Sequence, residues 1–213
     1  MIFLIFGCSK DTNEEVQAPI SNPFEQGEWS VAADEGSFIS RHGIEHGLYV
    51  WYPNMEKGDL DEDDQILYGE FLQGNVWEGG APSCSKTRPV VMFSHGNTGM
   101  SFQSYFLMEH LASHGYIAVA PEHVGNTYGD NDESRKPELI FRRPEDVSDA
   151  FDWLINDSAL KDCVDPDAGY AIIGHSFGGY TALALSGAEI NTDATMAHCE
   201  DFGGWLCDHV EQW

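Results

Sequence analysis

Tyr170-Ala171-Ile172-Ile173-Gly174-His175-Ser176-Phe177-Gly178-Gly179 decides the fold. An apolar run of strand length ends in a Gly-x-Ser-x-Gly turn, and helix-forming residues follow from Gly178 to Leu185. Small residues two before and two after the serine let the chain turn sharply from strand into helix. Such a turn lifts the Ser176 oxygen above the strand end. The N-terminus of the following helix then favours negative charge developing beside it. Ser176 is the expected nucleophile.

Outward from this stretch, strands and helices alternate. Val90-Val91-Met92-Phe93 and Tyr116-Ile117-Ala118-Val119-Ala120 are unbroken apolar runs, as buried parallel strands require. The spacing predicts a helix over 104–113, with Tyr105, Met108, Leu111 and Ala112 on one face and a stop at His114-Gly115. A second helix is predicted over 145–155, with Pro144 in its first turn and Val147, Ala150, Phe151 and Leu154 on one stripe. Leu48-Tyr49-Val50-Trp51-Tyr52 reads as a strand stopped by Pro53. Residues 54–86 and 125–140 read as polar loops. The fold class is therefore α/β, a mostly parallel sheet with helices on both faces.

The charge balance excludes some functions. Thirty-six acidic residues face 10 basic ones, for a net charge of -26. Nucleic acid is not an expected partner, because phosphates need lysine and arginine, and anionic lipid is not attracted either. At 42% hydrophobic and 12% aromatic the chain is globular. Residues 1–8 read as a partial signal segment: Ile5-Phe6-Gly7-Cys8 resembles a bacterial lipobox, with Cys8 as the lipidated residue, although Phe6 is bulky and no basic residue precedes the run. Residues 9–27 read as a polar linker and 28–213 as the catalytic domain. Export to the bacterial envelope, with membrane contact only through that anchor, follows as an expectation. In that setting the remaining cysteines, Cys84, Cys163, Cys199 and Cys207, suit disulfides, with Cys199 and Cys207 the nearest pair. No Cys-x-x-Cys spacing is present, so no metal is expected. The acidic run Asp59-Leu60-Asp61-Glu62-Asp63-Asp64 lacks the glycine a calcium loop needs at its sixth position and reads as a solvated loop.

A second motif, Phe93-Ser94-His95-Gly96-Asn97, follows the 90–93 strand. α/β-hydrolases take one oxyanion donor from the loop after that strand and another from the residue after the nucleophile. The backbone N–H groups of Asn97 and Phe177 fit these roles. Trp51-Tyr52-Pro53, Ser94-His95-Gly96, Leu111-Ala112-Ser113-His114-Gly115-Tyr116, Pro121-Glu122-His123, Arg143-Pro144-Glu145-Asp146-Val147 and Gly174-His175-Ser176-Phe177-Gly178-Gly179 occur in order. The set resembles the platelet-activating-factor acetylhydrolase family and its bacterial dienelactone-hydrolase-like relatives, over about residues 45 to 187. The resemblance implies a serine esterase for short-acyl or lipid esters, with no cofactor.

The chemistry also needs a histidine base and an acid, after the serine in chain order. The residues beyond Ser176 hold His198 and His209 with Asp193, Asp201 and Asp208, and a segment, 199–205, that reads as loop. The expectation is a domain incomplete at its C-terminus, lacking that base and acid, with recruitment of His198 or His209 as the alternative. His175 adjoins Ser176 but is expected to point away. A non-catalytic surface lipoprotein that retained the fold is the alternative, and a dienelactone hydrolase a third reading, disfavoured because those enzymes carry cysteine where this chain has Ser176.

Overall fold

The computed structural model describes residues 2–5, 22–55, 60–204 and 207. Its strands are β1 (Ile2–Ile5), β2 (Ser30–Ile39), β3 (Glu45–Asn54), β4 (Gln65–Tyr68), β5 (Leu72–Glu78), β6 (Val90–Ser94), β7 (Ile117–Pro121) and β8 (Tyr170–His175). The helices are α1 (Tyr105–Ser113), α2 (Lys136–Asn156), α3 (Phe177–Leu185) and α4 (Thr192–Phe202). The strands form one eight-stranded sheet in the order β1-β8-β6-β7-β3-β2-β5-β4. β8, β6 and β7 run parallel at its centre, and β3 joins β7 antiparallel. Every residue of β6 and β7 is buried, as their apolar runs require.

The sheet has a core on each face. Met108 and Ala112 of α1 pack with Val31, Ala33, Tyr49, Trp51, Val91, Phe93 and Ala118. On the other face Val147, Ala150, Phe151 and Leu154 of α2, with Ala182 of α3, cover Val50, Met92, Val119 and Ile172. Alternation along each strand divides its side chains between the two cores.

Several sequence expectations are corrected. β3 continues through Pro53, because beyond Trp51 it no longer pairs with β7 and Pro53 is needed there only as an acceptor, from Ser83 N–H at 2.8 Å. The 54–86 insertion contains the β4–β5 hairpin, whose alternate residues Ile66, Tyr68, Gly74 and Val76 are buried. α2 begins at Lys136, so Pro144 lies inside the helix. A proline there removes the N–H that would bond the carbonyl of Ile140. The Tyr180 hydroxyl of α3 supplies that bond at 3.3 Å. α4 runs to Phe202, over part of the segment read as loop.

Disulfides join Cys84 to Cys163 and Cys199 to Cys207. The first links the loop before β6 to the loop before β8. β1, from the segment read as a leader, pairs antiparallel with the outer edge of β8. Of the linker, residues 22–27 are tied to α1: Gly27 N–H donates to Ser113 Oγ at 2.9 Å, and the His110 ring meets the Pro23 carbonyl at 2.8 Å. Cys8, residues 9–21 and His209 lie outside the described residues.

Candidate active site

Ser176 stands between β8 and α3 with φ 55° and ψ -115°. A residue with a side chain holds that conformation only when its surroundings force it, at a cost of about 1–3 kcal/mol. Two backbone approaches do the forcing. A Cβ on Gly174 would lie 1.9 Å from the Gly178 carbonyl oxygen, and one on Gly178 would lie 1.9 Å from that of Ser94. No other residue fits either place, which explains both glycines of the motif.

Ser176 is exposed at a cleft of about 450 Å³. The 94–99 turn forms one wall, and Phe71, Leu72, Met100 and Phe102 supply an apolar one. Phe71 comes from the hairpin tip, where Gly69 and Glu70 both have positive φ, and its ring meets Phe102 edge-on at 5.9 Å. His175 also borders the cleft, contrary to the orientation expected from sequence. Its ring Nδ1 crowds Gly96, where a Cβ would lie 2.9 Å away.

Of the expected oxyanion donors, one shares the cleft with Ser176 and the other follows it directly in the chain. Asn97 lines the cleft, and Phe177 opens α3, where the first N–H groups of a helix have no intrahelical acceptor. The neighbouring N–H of Gly96 is already committed to Gln103 Oε1 at 3.0 Å. The turn is closed by Gly99 N–H on the Gly96 carbonyl at 3.1 Å, which also accepts from the His95 ring at 2.7 Å.

Beneath the elbow lies a buried network that sequence reasoning did not assign. Arg143, fully buried in α2, donates to Thr181 Oγ1 at 3.2 Å, Asn126 Oδ1 at 2.6 Å, Ser94 Oγ at 3.1 Å and the His95 carbonyl. Its guanidinium also lies 4.6 Å from the centre of the Phe177 ring. The Ser94 hydroxyl, accepting from Arg143, donates to His123 Nε2 at 2.9 Å, and His123 Nδ1–H donates to Asp146 Oδ2 at 2.8 Å. This is a Ser–His–Asp arrangement at triad distances. Ser94 and His123 are 0% exposed, however, so no substrate reaches that hydroxyl. The arrangement is structural.

Burial sets the charges in this network. It pushes the His95 imidazole down to about 3 and His123 well below the usual range, with the Arg143 charge adding to both. Both rings are neutral, and each has one N–H donating and one nitrogen accepting; His95 Nε2 takes the His123 N–H at 3.1 Å. Burial also lowers Arg143 to about 9 and raises the Asp146 carboxyl to about 8. Geometry supports the second shift. His46 donates through Nδ1 to the Glu122 carbonyl, so its Nε2 lone pair faces Asp146 Oδ1 at 3.5 Å. That nitrogen has no hydrogen-bond partner, and a proton on Asp146 relieves the repulsion between the two lone pairs.

Of the two histidines beyond Ser176, His198 is not among the described residues that line the cleft, and His209 lies outside the described residues. His198 sits on α4, stacked on Phe202 at 5.1 Å. Among the described residues no histidine, cysteine and carboxylate group could hold a metal ion. The sequence did carry a signal for the network. Arg143 and Asp146 are charged residues on the otherwise apolar stripe of α2 that includes Val147, Ala150 and Leu154.

The solved ferulic acid esterase of Streptomyces cinnamoneus superposes with a TM-score of 0.57 at 20% identity, covering 78% of this chain and 57% of that one. Chlorophyllase-1 of Citrus sinensis is 32% identical over 109 residues, covering 49% of this chain and 30% of the relative. Cutinase 2 of Thermobifida cellulosilytica is 33% identical over 107 residues, covering 49% of this chain and 37% of the relative. The chain thus spans about a third of the length of these curated relatives. The motif resemblance reached the fold that these matches share. The family model that matches is chlorophyllase, over residues 80–198, more than half of the sequence. The chain belongs to the chlorophyllase family of α/β-hydrolases.

Proposed function

We propose that this chain carries the nucleophile and oxyanion half of a serine carboxylic ester hydrolase. The observation that carries the reading is Ser176 in its forced conformation, exposed at a cleft between an apolar wall and the 94–99 turn. The Ser176 oxygen bonds to the ester carbonyl carbon while a base takes its proton. The carbonyl oxygen becomes an oxyanion held by the N–H groups of Asn97 and Phe177. Collapse breaks the ester C–O bond, and the leaving alcohol takes a proton from the protonated base. Water then attacks the acyl-enzyme and frees Ser176. The base comes from outside the described residues.

The lining suits a neutral apolar acyl or alcohol group, and the net charge of -26 disfavours anionic substrates. Short-acyl esters, including lipid esters like those of the platelet-activating-factor acetylhydrolases, meet both conditions. Two disulfides favour an oxidising compartment, in keeping with export; cleavage before Cys8 would remove β1, so the sheet as described speaks against an anchor there. Hydrolysis of p-nitrophenyl butyrate by the full-length protein and by Ser176→Ala tests the reading. The serine variant should lose at least a thousandfold in kcat. Equal rates for the two proteins would refute it. Absence of fluorophosphonate labelling at Ser176 in the full-length protein would favour a non-catalytic role for the fold.

A further inference from the structure

The Asn97 N–H is useful only if its turn is held still; the Gly99–Gly96 bond closes the turn and Gln103 holds Gly96, but neither bond ties down Asn97 itself. Thr98 has φ 54°, and its hydroxyl only folds back onto the Asn97 carbonyl. The restraint comes from the segment after β7. Asn126, 0% exposed, donates through Nδ2 to Asn97 Oδ1 at 2.8 Å. Its own Oδ1 accepts from Arg143 at 2.6 Å. The backbone adds a second tie, with Tyr128 N–H on the Gly99 carbonyl at 3.0 Å. Arg143 meanwhile grips the His95 carbonyl and, through Thr181, the nucleophile helix.

We propose that Asn126, oriented by Arg143, is a positioning residue that sets the Asn97 N–H against Ser176. The amide suits the task because it accepts on one side and donates on the other, passing the orientation of a buried guanidinium to a surface turn. Arg143 is bonded to both the nucleophile helix and the oxyanion turn, so the two halves of the site share one reference point. The proposal rests on the reading of Asn97 as an oxyanion donor.

Asn126→Ala, Asn97→Ala and the double variant, made in the full-length protein, test it with p-nitrophenyl butyrate. Asn126→Ala should lower kcat about 10- to 100-fold, less than outright loss of an oxyanion donor, with KM within about twofold. Because both single variants break the same bond, the double variant should be no slower than the slower single one. Asn126→Asp should restore kcat to within about fivefold of the parent, since the Asn97 amide can turn to donate to it. Losses that multiply in the double variant, or a kcat within twofold for Asn126→Ala, would overturn the proposal. If the parent itself has no Ser176-dependent activity, the functional reading fails and amide hydrogen exchange decides the positioning. Exchange at Gly96 and Gly99 should be at least tenfold faster in Asn126→Ala than in the parent. Unchanged exchange at both overturns the proposal.

Discussion

Replacing Asp146 by asparagine should remove a pH dependence rather than a stabilising contact. The Asp146 carboxyl is raised from 3.8 to about 8 by burial. Between those values the folded chain holds a proton that the unfolded chain has released. Stability therefore falls as pH rises through this window, by about 1.4 kcal/mol per pH unit for one proton. The full window amounts to roughly 6 kcal/mol as an upper bound. Asparagine reproduces the protonated carboxyl: its Oδ1 accepts from His123 as Asp146 Oδ2 does at 2.8 Å, and its amide donates toward the unpaired Nε2 of His46. Urea unfolding of the parent and Asp146→Asn at pH 5, 6 and 7 provides the measurement. The variant should gain on the parent by about 2.7 kcal/mol between pH 5 and 7. Parallel curves would show that Asp146 folds as a carboxylate, and the charge assignment of the network would be wrong.

Other perturbations have separate outcomes. Gly178→Ala drives a Cβ onto the Ser94 carbonyl, so it should cost about 3 kcal/mol or more in chemical denaturation and abolish labelling of Ser176; a normally stable, labelled variant would contradict the packing. Cys84→Ser with Cys163→Ser opens a 79-residue loop and should cost about 4.5 kcal/mol, against about 2.5 kcal/mol for the 8-residue loop of Cys199 and Cys207. Equal losses in urea would refute the loop-entropy argument. Tyr180→Phe should cost about 1 kcal/mol in the parent and much less beside Pro144→Ala, which restores a backbone donor to Ile140. Additive losses would mean that the tyrosine acts elsewhere.

How much of this was legible in the sequence depends on where each residue's partners lie. β6, β7 and β8 were readable because strands buried on both faces carry apolar runs that no other element of that length needs. The elbow was readable because backbone crowding leaves glycine no substitute at 174 and 178. The β4–β5 hairpin was not, because its strands are short, one buried position is Gly74, and the exposed Leu67 breaks the apolar alternation within an acidic stretch. The start of α2 was missed because Pro144 resembles a helix start, and its interior position depends on a hydroxyl from α3. The Arg143 network joins residues 94, 123, 126, 143 and 181 from four separate segments. Local patterning cannot pair them; it shows only charged side chains on an apolar stripe. The same limit applies to the base for Ser176.

The neutral acceptors around Arg143 bear on how the site comes together during folding. A guanidinium surrounded only by uncharged oxygens is tolerable when every oxygen is present and costly when one is withdrawn. Partly folded species, with α3 undocked or the segment around Asn126 unplaced, would hold a desolvated cation short of partners. Such species are sparsely populated, and nucleophile and turn arrive together in one cooperative event. Protease digestion under native conditions should therefore find the loops around Ser176 as resistant as the sheet beneath them.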